Sequence, residues 1–192
     1  MMNIIHSKQE YYDQTFEQVQ LMPGEIITAE FTDCKFVGCE FETVAFIGCK
    51  FSNCIFRECN LNMVRINESS FPGTRFEHSR LAGIDWTRGN WAQLAFSQPD
   101  GFFDCVLSHS TFIRLKCSGI QIKNCVAHDV DFREADLSRA NFDGTDLSKS
   151  LFDNTNLNRA DLSGAKNYQI DPVKNNLKAT KFSLPEAMSL LY

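Results

Sequence analysis

Large apolar residues recur at every fifth position of this chain. The series runs from Phe16, Leu21, Ile26 and Phe31 through Phe36, Phe41, Phe46, Phe51 and Phe56 to Trp86, Trp91 and Phe96. It then slips by one residue and continues as Phe102, Leu107, Phe112, Cys117 and Ile122 to Leu162. Fifteen of the 17 phenylalanines sit on this grid, so composition alone does not produce it. A period of five is neither the 3.6 of an amphipathic helix nor the 2 of a half-buried strand, and it signals a repeat architecture. Two residues before each large centre stands a small, mostly apolar side chain, such as Ala29, Val44, Val64, Thr74, Ala140 or Ala160. The other three positions carry Asp, Glu, Lys, Arg, Asn and Ser. Two inward positions in five make a core too thin for a layered globule, so the pattern predicts coils that bury their centres by stacking on one another.

The eight cysteines obey the same period. Cys34, Cys39, Cys49, Cys54, Cys59, Cys105 and Cys125 occupy the small slot, and Cys117 is itself a centre. A free cysteine behaves as a small hydrophobe, so packing rather than metal or disulfide chemistry is the reading, in keeping with a reducing compartment. The 192 residues carry a net charge of −5, which argues against a general basic nucleic-acid-binding surface. No apolar run approaches the ~18 residues of a membrane span. Met1 to Glu10 lacks the apolar core of a signal peptide. A soluble cytoplasmic protein is expected, in which the sequon Asn67-Glu68-Ser69 has no meaning.

From Ala135 the repeats read ADLSR, ANFDG, TDLSK, SLFDN, TNLNR, ADLSG. They resemble the A(D/N)LXX pattern of pentapeptide-repeat proteins, and the likeness extends over residues 16–165. The resemblance implies an all-β fold: a right-handed quadrilateral parallel β-helix with four pentapeptides per coil. Thirty centres would then make about seven and a half coils and a rod of about 36 Å at the spacing of neighbouring strands. Residues 20 apart should stack. Phe31, Phe51 and Phe71 form one such column, expected to resume beyond the slip as Phe112, Phe132 and Phe152 with Trp91 between. Residues 1–15 are expected to cap the first coil.

The slip falls within residues 97–103, where Pro99-Asp100-Gly101 is turn chemistry. One extra residue there means a bulge or small outward loop. It is either a tolerated insertion or a contact loop made of Gln98, Pro99, Asp100, Gly101 and Phe103.

Residues 166–192 leave the period. Ser183 and Glu186 match a helix capping box. Leu184, Ala187, Met188 and Leu191 follow i, i+3, i+4, i+7 spacing, which predicts a short C-terminal helix with one apolar face. Such a helix is marginal alone and must pack on the last coil or on another copy of the chain. The segments Asn167–Pro172 and Lys181–Ala187 resemble the C-terminal module of the topoisomerase-protecting branch, which includes the quinolone-resistance (Qnr) and albicidin-resistance proteins. The stretch Gly83-Ile84-Asp85-Trp86 to Trp91 is most similar to the latter. That resemblance implies a tail-to-tail homodimer through Phe182, Leu184, Ala187, Met188 and Leu191. It also implies DNA gyrase or topoisomerase IV as partner, bound by imitation of DNA, so that the enzyme is protected from a quinolone, albicidin or similar antibiotic. The chain departs from the branch in lacking large projecting loops. Relatives also usually continue a few residues past the position of Tyr192, so a trimmed interface is expected.

Mimicry of DNA needs negative charge. Asp129, Asp131, Glu134, Asp136, Asp143, Asp146, Asp153 and Asp161 face Arg133, Arg139, Lys149 and Arg159, eight acids against four bases and a net charge of −4. These acids are the candidate topoisomerase-facing surface. The competing reading is that Asp and Asn simply suit the turn positions of the repeat. From Leu162 onward Lys166, Lys174, Lys178 and Lys181 outnumber Asp171 and Glu186.

Catalytic chemistry has no motif to stand on. His78, His109 and His128 occupy scattered outward positions, and no G-x-S-x-G, H-E-x-x-H or phosphate-binding glycine loop is present. No enzyme activity, cofactor, metal, membrane contact or direct nucleic-acid contact is expected. The alternative to the topoisomerase reading is a pentapeptide-repeat scaffold with an unrelated protein partner.

Overall fold

A computed structural model describes residues 5–91 and 98–191. The grid position Phe96 lies outside the described residues. The chain is a right-handed, four-sided parallel β-helix in which each residue pairs with the one a full coil later. On one side Glu10–Tyr12 pairs with Glu30–Thr32, and that strand with Lys50–Ser52. On the next, Thr15–Glu17, Lys35–Val37, Ile55–Arg57, Arg75–Glu77, Gly101–Phe103 and Gln121–Lys123 form six strands in register. The sides are named here by their first centres: the Tyr11, Phe16, Leu21 and Ile26 faces. Tyr11 is already a rung, stacked on Phe31 at 4.9 Å, so the ladder starts one centre before Phe16. At the other end it reaches the pair Asp161 and Lys181.

The inward assignment holds for the described centres, of which Leu21, Ile26 and Trp91 are only half-buried. Phe16, Phe31, Phe36, Phe51, Phe102, Phe112, Phe132 and Phe142 are fully buried, and the eight cysteines are buried and unpaired. Rings 20 residues apart stack nearly parallel, as Phe31 on Phe51 at 4.8 Å and 2° and Phe36 on Phe56 at 4.4 Å and 7°. Rings on neighbouring faces meet edge to face, as Phe46 and Phe51 at 87°. Both geometries suit the ring quadrupole.

The small slot has a second requirement that explains its buried Ser and Thr. Its side chain donates to the carbonyl of the centre one coil earlier: Thr74 Oγ1 to Phe51 O at 2.6 Å, Ser150 Oγ to Ala127 O at 2.6 Å, Thr155 Oγ1 to Phe132 O at 2.9 Å. Cys39 and Cys49 make the weaker thiol version, to Phe16 O at 3.3 Å and Ile26 O at 3.2 Å. Several hydroxyls also accept from the backbone of the coil before, as Ser69 Oγ does from Cys49 N at 2.9 Å. Thus a buried hydroxyl here satisfies backbone groups at a corner where the strand ladder does not reach. Burial pushes the Cys54 and Cys117 thiols up to about 12, which makes them packing groups rather than nucleophiles.

The residue two beyond most centres turns the corner in left-handed conformation, at φ +55° in Asp33, +53° in Asn53 and +60° in Arg139. At Gly144 a Cβ would also crowd the Asn124 side chain, which would have to move to admit it.

The slip differs from its sequence reading. Phe76 pairs with Phe102, Arg80 with Val106 and Asp85 with Thr111, a step of 26 residues where every other coil takes 20. The insertion is therefore six residues, one whole pentapeptide plus one, rather than one. The columns beyond it shift accordingly. Phe112, Phe132 and Phe152 do not continue Phe31, Phe51 and Phe71. They continue Trp86, which stacks on Phe112 at 5.6 Å and 17°. A period of five cannot distinguish an insertion of six from an insertion of one.

The C-terminal segment is a 3-10 helix over Glu186–Leu191. The capping box is not formed: Ser183 Oγ donates instead to Ser163 O on the preceding coil. Leu190 and Phe182 pack against the core, and Phe182 meets Tyr168 at 5.8 Å.

Candidate interaction surfaces

The eight acids of residues 129–161 are spread by the coil over all four faces. Register places Asp136 on the Tyr11 face, Asp143 and Asp161 on the Phe16 face, Asp129 and Asp146 on the Leu21 face, and Asp131, Glu134 and Asp153 on the Ile26 face. Half of them are also neutralised. Asp131 pairs with Arg133 at 2.7 Å, Glu134 with Arg114 at 2.8 Å, Asp161 with Lys181 at 3.2 Å and Asp153 with Lys174 at 3.5 Å. His128 Nε2 lies 3.1 Å from Asp146.

Four of these acids have a structural task. Asp131, Asp136, Asp146 and Asp161 each accept, at 3.0 Å, from the backbone N–H two residues on, closing an Asx turn beside the centre. Asn141 and Asn156 do the same on other rungs. Partial burial would raise the Asp146 carboxyl, but hydrogen bonds from Ser148, Asn167 and His128 outweigh it and hold the group well below the usual carboxylate range. The Ser163 hydroxyl and backbone N–H, with Lys181, lower Asp161 in the same way. The turn-position reading of these residues is therefore the better account, and they do not form a continuous acidic surface.

The dense negative charge lies elsewhere, at the N-terminal end, where the sequence reading did not place it. Glu10, Asp13, Glu17, Glu25, Glu30, Asp33, Glu40 and Glu42 stand on the first two coils against Lys8 and Lys35, eight acids against two bases and a net charge of −6. All ten are exposed. Among the described residues only Glu25 and Glu40 reach a cation, Arg65 at 3.9 Å and Arg80 at 4.0 Å. The Tyr12 hydroxyl donates to Glu10 at 2.5 Å, and this bond with the charges of Glu10 and Glu30 raises the phenol above its ordinary value. Counting charge coil by coil, in blocks of 20, would have found this end. Counting within the regular repeats did not.

The proposed contact loop is partly internal. Pro99 and Gly101 are buried, and a Cβ on Gly101 would crowd Gln121 O at 2.5 Å. Gln98 Nε2 donates to Ser118 O at 2.9 Å, Asp100 stands 3.8 Å from Arg75, and the Arg75 guanidinium lies 4.4 Å over the Phe103 ring. Beside it a shallow groove of about 380 Å³ runs past Asn53, Pro72, Gly73 and Gly119. At the other end Leu184, Met188 and Leu191 are exposed, while Phe182 and Ala187 are half-buried. A groove of about 760 Å³ beside them is lined by Leu151, Ile170, Val173 and Leu190. Among the described residues no three His, Cys, Asp or Glu side chains could together hold a metal ion. No described helix is long and apolar enough to cross a membrane.

Family comparison agrees with this geometry. The pentapeptide repeat region matches residues 29–100, and eight copies of the pentapeptide repeat match residues 131–166, together more than half of the chain. The chain belongs to the pentapeptide-repeat family. Among solved pentapeptide-repeat structures, a trypsin-treated variant of QnrB1, a plasmid-mediated fluoroquinolone resistance protein, superposes with a TM-score of 0.71 at 17% identity, over 97% of this chain and 95% of that one. A second trypsin-treated QnrB1 variant gives 0.69 at 18% identity over the same shares. HetL, involved in heterocyst differentiation regulation in the cyanobacterium Nostoc, gives 0.48 at 15% identity over 95% of this chain and 87% of its own. No curated protein matches the chain.

Proposed function

We propose that this pentapeptide-repeat protein is a DNA mimic that binds DNA gyrase or topoisomerase IV and protects it from a topoisomerase poison. One observation carries the reading. The first two coils span about 10 Å of rod axis at the strand spacing. A net charge of −6 over that length is one charge per about 1.6 Å, against about 1.7 Å in duplex DNA. Charge at this density on a rigid rod fits a groove built for a duplex. The fold likeness to QnrB1, which runs over nearly the whole of both chains, supports the same reading. The N-terminal end is then the part that enters the enzyme, and the exposed Leu184, Met188 and Leu191 join two copies at the opposite end.

The test is gyrase supercoiling with purified protein and a panel of poisons. Excess protein should restore supercoiling in the presence of at least one drug. Replacing Glu10, Asp13, Glu30 and Asp33 by their amides should abolish that rescue. Full inhibition by every drug at excess protein would refute the proposal.

A second reading is favoured by one observation. Residues 45–128 carry nine bases against six acids, a net charge of +3, so most of the rod is not DNA-like. A general protein-binding scaffold would use that mixed surface, and would leave supercoiling unchanged with or without drug.

A further inference from the structure

The Tyr11 face changes sign along the rod. At its N-terminal end it presents Glu10, Asp13, Glu30 and Asp33. Four coils later it presents Lys116, Arg139, Arg159 and Lys178. The bridges Lys116 to Asp136, Asp136 to Asn156 and Asn156 to Asn176 place these four cations on successive rungs of one face. All four are exposed, and none makes an ion pair among the described residues. The contrast with the neighbouring Ile26 face is sharp, since Arg114, Arg133 and Lys174 there are each consumed by a carboxylate. The one acid on this stretch, Asp136, is already occupied: it accepts from Asn156 Nδ2 at 2.9 Å and Ser138 N at 3.0 Å.

We infer that this part of the Tyr11 face is a contact surface for the phosphate backbone of duplex DNA. The four cations span three coil steps, about 14 Å. Over that length one strand of a duplex presents about four phosphates at 3.4 Å each along the axis. Among the described residues this basic stretch of the face carries no exposed aromatic ring, which fits backbone contact and not the base stacking by which single strands are held. The acidic end of the rod lies about 19 Å or more away at the coil spacing, beyond the ~10 Å screening length of 0.1 M salt, so it does not cancel this field. The chain's overall charge of −5 hides the stripe because the average mixes the two ends. The inference goes beyond topoisomerase binding and does not depend on it: the rod would present its acidic end to a protein and its basic stripe to DNA.

The experiment is fluorescence anisotropy of a labelled 20-base-pair duplex of mixed sequence, titrated with the full chain and no topoisomerase present. Four phosphate contacts give a slope of about −3.6 in log K against log salt, a loss of roughly 150-fold between 50 and 200 mM. Arg139→Gln with Arg159→Gln should halve that slope and weaken binding at 50 mM. Lys149→Gln, on the Leu21 face, should change neither. Circular dichroism checks that each variant keeps its fold. No binding at 50 mM salt, or an unchanged slope in the folded double-arginine variant, would overturn the assignment. Binding to polyglutamate without binding to the duplex would overturn it too, and would give the stripe to an acidic protein instead.

Discussion

The ring column that crosses the six-residue insertion can be tested by a double-mutant cycle. Trp86 and Phe112 are each at most 1% exposed, and their rings lie 5.6 Å apart at 17°. A stacked pair of this kind adds about 0.5–1.5 kcal/mol beyond the area it buries. Trp86→Leu and Phe112→Leu remove the rings without inserting polar atoms, and each should cost about 2–4 kcal/mol through lost burial and a cavity. The double variant should be less destabilised than the two singles together by about 1 kcal/mol, the lost stacking having been counted twice. Urea unfolding with an unchanged m-value gives the free energies. The decisive comparison is the same cycle on Trp91 and Phe112, the pair that a one-residue slip would stack. A larger coupling for Trp91, or a Trp86 coupling within the ~0.3 kcal/mol error of additivity, would refute the 26-residue coil.

Ser150→Ala removes a hydroxyl that donates to Ala127 O and accepts from Val130 N, and should cost about 1–3 kcal/mol by leaving buried backbone groups unpaired. Cys54→Ser at an equivalent slot should be tolerated, and equal losses in the two variants by urea titration would sink the hydroxyl-ladder account. Asp146 has a folded pKa below its unfolded value, so its contribution is present above about pH 4 and lost as the pH falls through the lower folded value. Asp146→Asn should therefore flatten the acid limb of a stability-against-pH curve, and an unaltered limb would count against the network. Met188→Asp should give monomers in sedimentation velocity if the exposed C-terminal side chains join two copies, and a persistent dimer would assign that helix to capping alone.

Local period determined how each residue faces. Burial depends on position within five residues, so the sequence alone separated Phe16, Phe36 and Cys54 from Glu17, Lys35 and Asn53. It also accounted for the buried cysteines. What stacks above what depends on the number of residues in a whole coil, and only the tertiary structure supplies that number. Hence Phe112 joined Trp86 and not Phe71. The charges follow the same division. Sequence counting found acids in residues 129–161, but partners such as Arg114 and Glu134 stand 20 residues apart and meet only across coils. Which carboxylates stay free, and which cations line up unpaired on one face, is therefore a property of the stack and not of any one pentapeptide.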